Sequence, residues 1–455
     1  MSFSTASRVA TFGTTIFAEM SALAAQHNAI NLSQGFPDFD GPPEVKAAAI
    51  AAIEAGKNQY AFTNGQADLR KAIADHAKRF YSQTLNPDTE ITVTSGATET
   101  IFSTILGLVN PGDEVIIFEP FYDSYVPDVI MAGGVPRFVP LRPVTPQHPE
   151  LRGARPSTSL HSAQGVSENS LQARVLAGDA AKRRSVPPSA AATARTRLGS
   201  NSQMVSQSAN SGWTFDPDEL AAAFNNKTRA IIVNTPHNPT GKVFTRDELD
   251  SIATLCQQWN VIAITDEVYE HIVFSGAEHV RLATLPGMAE RTVTISSHGK
   301  TFSFTGWKIG WAIAPPDLTL GVRRAHQFIT FATATPLQHA AAAALALDDE
   351  YYASLAADYQ GKRDFLGNAL RDVGLDVSTP DGTYFIMAGI KPLGFDDDVA
   401  FCRHLTTEVG VAAIPPSVFY SDDHKPLGKG YARFAFCKRM ETLEKAAERL
   451  AKLKL

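Results

Sequence analysis

The chain has little cysteine, no long apolar run and no marked excess of one charge, and each shortage excludes something. Its three cysteines, Cys256, Cys402 and Cys437 among 455 residues, stand far apart and lack the C-x-x-C spacing of a metal or redox pair, so reduced thiols and no metal site are expected. The opening MSFSTASRVATFGTTIFAEM carries one early arginine and no uninterrupted apolar stretch. It reads as neither a secretory signal nor a membrane span, and a cytoplasmic protein is expected. A formal net charge of −6 gives nucleic acid and anionic membranes nothing to hold, which leaves small molecules as the default partners. Between Pro143 and Gly212 aromatic residues are missing altogether. Ser, Ala, Arg, Gln and Pro dominate there, with eight basic residues against three acidic ones. Such a segment buries too little apolar surface to offset its ordering entropy, and it reads as a disordered insertion tolerated at a surface turn.

What is present is a globular composition, 44% hydrophobic and 19% charged, in a chain longer than one typical core. From residue 90 short β-branched runs alternate with helical stretches. ITVTS, EVIIF, PRFVP, AIIVN, VIAIT, VTISS and KIGWAIA make seven candidate strands, most of them apolar on both faces. They predict an α/β fold with a mainly parallel seven-stranded sheet flanked by helices. After Pro316 the texture changes to an Ala-rich helix at HAAAAALAL, a helical YYASLAADYQGKRDFLGNAL and strands around TYFIMAG and YARFAFC. A closing amphipathic helix, METLEKAAERLAKLKL, places Leu443, Ala446, Ala447, Leu450 and Leu453 on one face. The expected division is a large domain over 41–316 and a smaller α+β domain made of 317–455 with the N-terminal segment 1–40.

In an open α/β sheet ligands bind beyond the C-terminal strand ends, and the unusual residues fall there. Ser95-Gly96-Ala97-Thr98 follows ITVT at a strand-to-helix junction, where free N–H groups and the helix dipole favour an anion, although small residues also serve packing at such turns. EPFYDSY places Tyr122 at the sheet edge, either over a planar ring or in the core. Asn238 in NTPHNPTG could donate to a ligand oxygen, while a structural turn explains Pro239 and Gly241 equally well, and His237 reads as a turn or core histidine. Asp266 ends the apolar run VIAIT and is expected to be buried, which is costly unless it meets a cation such as a protonated ring nitrogen. Tyr269 lies one turn further on. In SSHGKTFSFTGWKIGW, Lys300 and Lys308 lack acidic neighbours. A lysine in a water-poor pocket has a lowered pKa and becomes a nucleophilic amine. Lys300 suits that role, and Ser297 and Lys308 suit a phosphate shared with the Gly96 turn.

Taken together, NTPHNPTG, DEVYEH and SSHGKTFSFTGWKIGW resemble the pyridoxal-phosphate aminotransferases of fold type I. TTIFAEMSALAAQHNAINLSQGFPDFDGPP and GVAAIPPSVF are similar to the methionine and kynurenine branch, nearest to the bacterial methionine aminotransferases. The resemblance covers nearly the whole chain outside 143–212. It implies pyridoxal 5'-phosphate bonded to Lys300, which also moves the substrate proton, with Asp266 at the pyridine nitrogen and Asn238 and Tyr269 at the ring oxygen. Tyr122 would stack on the ring, and Gly96, Ala97, Thr98, Ser297 and Lys308 would surround the phosphate. The resemblance also implies a homodimer in which Tyr60 reaches the neighbouring site and Phe331 faces the partner's substrate pocket. Arg433 in YARFAF matches the arginine that grips the substrate α-carboxylate, with Gly35 in SQGFPDF and Asn238 beside it. The implied reaction moves the α-amino group of methionine, aromatic or similar large amino acids onto a 2-oxo acid. The alternatives are cysteine-conjugate β-elimination, kynurenine or succinyl-diaminopimelate transamination, and a cofactor-retaining regulatory protein without turnover.

Overall fold

The seven β-branched runs pair into one sheet in the computed structural model, which describes residues 4–10, 12–144, 212–274 and 276–454. The insertion expected over 143–212 lies almost wholly outside the described residues. The strands are β1 (Ile91–Thr94), β2 (Glu114–Glu119), β3 (Val135–Pro140), β4 (Thr228–Asn234), β5 (Ile262–Asp266), β6 (Thr292–Ser297) and β7 (Gly310–Ile313), in the spatial order β1-β7-β6-β5-β4-β2-β3. Every residue of β1, β2, β5, β6 and β7 is buried, as strands covered on both faces must be. Only β3, at one edge, alternates exposed and half-buried positions, and it is the strand that tolerates Pro136 and Pro140.

One strand departs from the parallel pattern, and the departure builds the site. β7 runs antiparallel to both β1 and β6, with Gly310 opposite Thr94 on one side and Ser297 on the other. The start of β7 therefore meets the ends of its neighbours, and Lys308 and Ile309 share an edge with the Gly96 turn and with Lys300. The approach is close enough to require glycine, since a Cβ on Gly310 would lie 2.5 Å from the carbonyl carbon of Gly96.

Beyond the sheet, helix Pro316–Ile329 packs on helix Gly96–Leu108 at a point where two glycines let the backbones touch: a Cβ on Gly107 would lie 2.3 Å from the Gly321 carbonyl oxygen. Helices Thr335–Leu345 and Asp349–Asp372 follow, and then a three-stranded antiparallel sheet of β8 (Asp376–Ser378), β9 (Phe385–Gly389) and β10 (Tyr431–Ala435). The N-terminal segment joins this part: Ile30–Asn31 pairs in parallel with Val411–Ala412, and Leu32 O accepts from Ala435 N at 2.7 Å. That places Gly35 beside Arg433 despite nearly the full chain between them.

The closing helix spans Met440–Leu450 and buries Leu443, Ala446 and Leu450. Leu453, expected on its face, instead sits on a 3₁₀ turn over Ala451–Lys454, from which it still packs on the core. All three cysteines are free and buried. No helix among the described residues is long and apolar enough to cross a membrane. The described residues up to Pro143 and from Gly212 onward form one compact unit. The chain leaves and re-enters this unit through a short ribbon in which Arg142 pairs with Thr214 and Pro143 with Trp213.

Candidate active site

Where the strands end, the chain leaves a cavity of about 380 Å³, within the size range of small-molecule sites. Twelve of the fourteen residues singled out in the sequence line it: Gly35, Gly96, Ala97, Thr98, Tyr122, Asn238, Asp266, Tyr269, Ser297, Lys300, Lys308 and Arg433. Tyr60 and Phe331 do not. They meet edge-on at the surface with ring centres 5.5 Å apart, and Tyr60 is 87% exposed.

One end of the cavity is built for an anion. Helix Gly96–Leu108 starts with no side-chain cap, so the N–H groups of its first turn stay directed at the cavity together with the positive end of the helix dipole. Gly96 has φ +79, and a Cβ there would lie 3.1 Å from Lys308 Cε and 3.3 Å from its Nζ. The absence of a side chain at Gly96 thus admits the lysine amine to the same point. Lys308 has no ion-pair partner among the described residues, and Ser297 lines the same end.

At the centre are Lys300 and Asp266. Lys300 is half-buried, its exposed part facing the cavity, and its Nζ has one long hydrogen bond, 3.4 Å to Gly35 O. Burial lowers its pKa to about 8, against opposing pulls from Cys437 and Asp266. Asp266 is pushed above the usual carboxylate range by burial, while hydrogen bonds from Tyr125 Oη to Oδ2 (2.7 Å) and from Val268 N to Oδ1 (3.3 Å) hold it down. A carboxylate so placed is matched by a cation that is also a hydrogen-bond donor. Tyr122 and Tyr269 stand around the same space with phenols raised by burial, Tyr122 to about 12.

The other end holds a buried guanidinium. Arg433 is 1% exposed, and among the described residues it has no carboxylate in contact. Its Nη1 donates to Asn238 Oδ1 at 3.0 Å and its Nη2 to Ser33 O at 2.8 Å, while Nε is buried without a partner. Three aromatic rings surround it, the nearest being Phe385 at 4.2 Å. Burial lowers its pKa to about 10. An arginine held this way recognises a small carboxylate. Gly35 passes so near that a Cβ would lie 2.6 Å from the Phe385 ring, and its carbonyl accepts from Tyr384 Oη at 2.6 Å.

Several residues of the site have roles that the sequence motifs did not single out. Tyr125, which holds Asp266, stands three residues after Tyr122 in EPFYDSY, a spacing of about one helical turn that marks both as neighbours. Phe385 and Phe17, which line the cavity, and Tyr384, which bonds Gly35 O behind it, carry no such sign, because they come from distant segments brought together by the pairing of the N-terminal segment with β10. His237 is buried and bonded to Thr240 Oγ1 at 2.8 Å, a turn histidine as expected.

Known proteins resemble this chain over nearly its whole length. The family described as aminotransferase class I and II matches residues 27–154 and 197–450. A kynurenine–oxoglutarate transaminase of Dictyostelium discoideum is 40% identical across 99% of this chain and 97% of its own. Methionine aminotransferase of Escherichia coli K12 is 38% identical across 98% of both chains. The solved structure of N-succinyldiaminopimelate aminotransferase from Mycobacterium tuberculosis superposes with a TM-score of 0.81 at 42% identity, covering 99% of this chain and all of that one.

Proposed function

The chain belongs to the class I and II aminotransferases, and from that premise we propose that it is a homodimeric pyridoxal-phosphate enzyme that moves the α-amino group of methionine, aromatic and other large uncharged amino acids onto 2-oxo acids. The observation that carries the reading is Arg433, a fully buried cation with a donor to spare and no carboxylate beside it, in one cavity with a depressed lysine amine and an uncapped helix N-terminus. The donor set fits the cofactor. Gly96, Ala97, Thr98, Ser297 and Lys308 would hold its phosphate, Asp266 its ring nitrogen, Tyr122 its ring face, and Asn238 and Tyr269 its ring oxygen. When bound, pyridoxal phosphate supplies an aldehyde and an electron sink.

The chain's own residues supply the rest. Lys300 Nζ, neutral above about pH 8 in the protein without cofactor, would hold the cofactor through its aldehyde and, once the substrate amine has displaced it, would be the base that takes and returns the proton at the substrate α-carbon. Arg433 fixes the α-carboxylate, and by occupying Asn238 Oδ1 it leaves Asn238 Nδ2 as the donor free to face the cavity. Phe17, Phe36 and Phe385 give the substrate side chain apolar walls, and among the described residues Arg433 is the single arginine lining the cavity, which suits donors with one carboxylate. The relatives named above act on methionine, kynurenine and succinyldiaminopimelate, so the side-chain preference rests on those walls. Tyr60 and Phe331, exposed in the single chain, would meet a second subunit.

The test is a panel of amino acids mixed with the cofactor-loaded protein and followed by absorbance as the aldehyde form converts to the amine form, with Lys300→Ala as the blank. Conversion with methionine and phenylalanine and not with aspartate is expected. No conversion with any amino acid would overturn the reading, and pyruvate released from a cysteine conjugate without an oxo acid would replace it with β-elimination.

A further inference from the structure

The reaction proposed above gives a counterpart to every charged side chain of the cavity but one. Lys308 and the helix N-terminus face a phosphate, Asp266 a ring nitrogen, Lys300 an aldehyde carbon and Arg433 a carboxylate. Asp123 is left over. It lines the cavity next to Tyr122, half-buried, and forms no ion pair among the described residues. Among the described residues no side chain donates to it. Its carboxyl is raised by burial and drawn down by Arg433 and by its own backbone N–H.

Arg433 and Asp123 line one cavity and feel each other, yet they do not touch. Opposite charges in a poorly solvated space close on each other unless something holds them apart. Here the guanidinium is pinned by Asn238 Oδ1 and Ser33 O, and Asp123 stands two residues before helix Tyr125–Met131. The cavity they share suits a ligand that carries both charges on groups joined through one carbon, and an α-amino acid at neutral pH is such a ligand. We propose that Asp123 receives the ammonium group of the incoming amino donor while Arg433 receives its carboxylate, so that the cavity tells an amino acid from a 2-oxo acid. The oxo acid offers the same carboxylate and nothing for Asp123. The inference rests on the function proposed above, since it uses Arg433 as the carboxylate site.

Asp123→Asn keeps the shape and removes the charge, and Asp123→Glu keeps the charge. Both are compared with the unaltered enzyme, loaded with pyridoxal phosphate, in each half-reaction. With Asp123→Asn, KM for amino donors is expected to rise about ten- to a hundredfold whatever their side chain, the loss of one charge-assisted hydrogen bond. KM for 2-oxo acids in the reverse half-reaction is expected to stay the same or fall, the cofactor absorbance to match that of the unaltered enzyme, and Asp123→Glu to recover part of the loss. Equal rises for donor and oxo acid would make Asp123 a structural residue and overturn the inference. So would no change, or a rise confined to donors of one side chain. Absence of cofactor absorbance in the unaltered protein would overturn the function itself, and the inference with it.

Discussion

The segment Asp266–His271 has two sides, and charge is handled differently on each. Toward the cavity, Lys300, Lys308, Arg433 and Asp123 have no ion-pair partners among the described residues. Away from it, Glu267 and Glu270 are buried, and both meet Arg281, whose Nε lies 3.0 Å from Glu267 Oε2 and whose Nη2 lies 2.6 Å from Glu270 Oε2. Thr265 and Ser296 donate to the same carboxylates, the Arg281 guanidinium lies over the Tyr81 ring at 3.7 Å, and His76 and His271 share one hydrogen bond at 2.7 Å. His76, Glu270 and His271 stand close enough to hold a metal ion, yet Arg281 already supplies the cation that Glu270 needs. A charge buried without a partner is expensive, and a paired one is nearly neutral for the fold. Unpaired charges therefore mark the ligand side of this segment and paired charges mark its structural side.

Removing one arginine from each side tests that distinction most strongly. Arg281→Met strands two buried carboxylates and is expected to destabilise the fold by about 3–5 kcal/mol, read as a shift of the urea midpoint at constant slope. Arg433→Met removes a cation that has no anion to leave behind. It is expected to cost the fold no more than about 1–2 kcal/mol, through Ser33 O and Asn238 Oδ1, while kcat/KM falls roughly a hundredfold or more. Equal losses of stability would erase the difference between the two sides.

A change of pH separates them with smaller effects. Burial lowers His76 to about 4 and His271 to about 3 from an ordinary 6.5, so both stay neutral in the fold while the unfolded chain takes up protons. The unfolded state then binds more protons between about pH 6.5 and 4, and stability falls as pH is lowered through that window. His76→Gln is expected to flatten the slope. The cavity side responds in a different range: below about pH 8 the neutral fraction of Lys300 drops about tenfold per pH unit, and the cofactor-free protein should bind pyridoxal phosphate correspondingly more slowly with its fold intact. A single pH range for both responses would mean that the two sides titrate as one.

The same division explains how much was legible beforehand. All seven strands of the sheet were legible as short runs, and those buried on both faces stood out because such a strand has no polar alternation to hide it, whereas β3 alternates at the edge. Asp266, Lys300 and Lys308 were visible as charges without local partners in apolar or aromatic surroundings. The paired side was not legible. Nothing near Glu267 or Glu270 in the sequence announces Arg281 or His76, since their pairing depends on how helix Ala67–Tyr81 and the loop before Leu282 meet the sheet. The antiparallel course of β7 was equally silent, because KIGWAIA reads the same in either direction, and it is this course that brings Lys308 to the Gly96 turn. Motifs within a few residues of a strand end were readable; partners supplied by a distant element were not.

The smallest effect is expected from the largest change, removal of the segment that belongs to neither side. Arg142 and Pro143 already pair with Thr214 and Trp213, so the chain returns to the place it left. The return point is anchored independently of what lies between: Trp213 is fully buried, its carbonyl accepts from Lys242 Nζ at 2.9 Å, and Lys242 is paired with Glu248 at 2.8 Å. The family match likewise passes over residues 155–196. Deleting 145–211 joins Val144 to Gly212, which already has φ +66, and with Val144→Asn the ribbon closes through Asn-Gly, the pair that a two-residue hairpin turn favours. Because closure entropy changes by only about 0.6 kcal/mol per halving of loop length, the shortened protein is expected to be as stable as the full chain or somewhat more so, with KM and turnover for methionine unchanged. A loss of turnover with the fold intact would show that residues 145–211 act on the reaction.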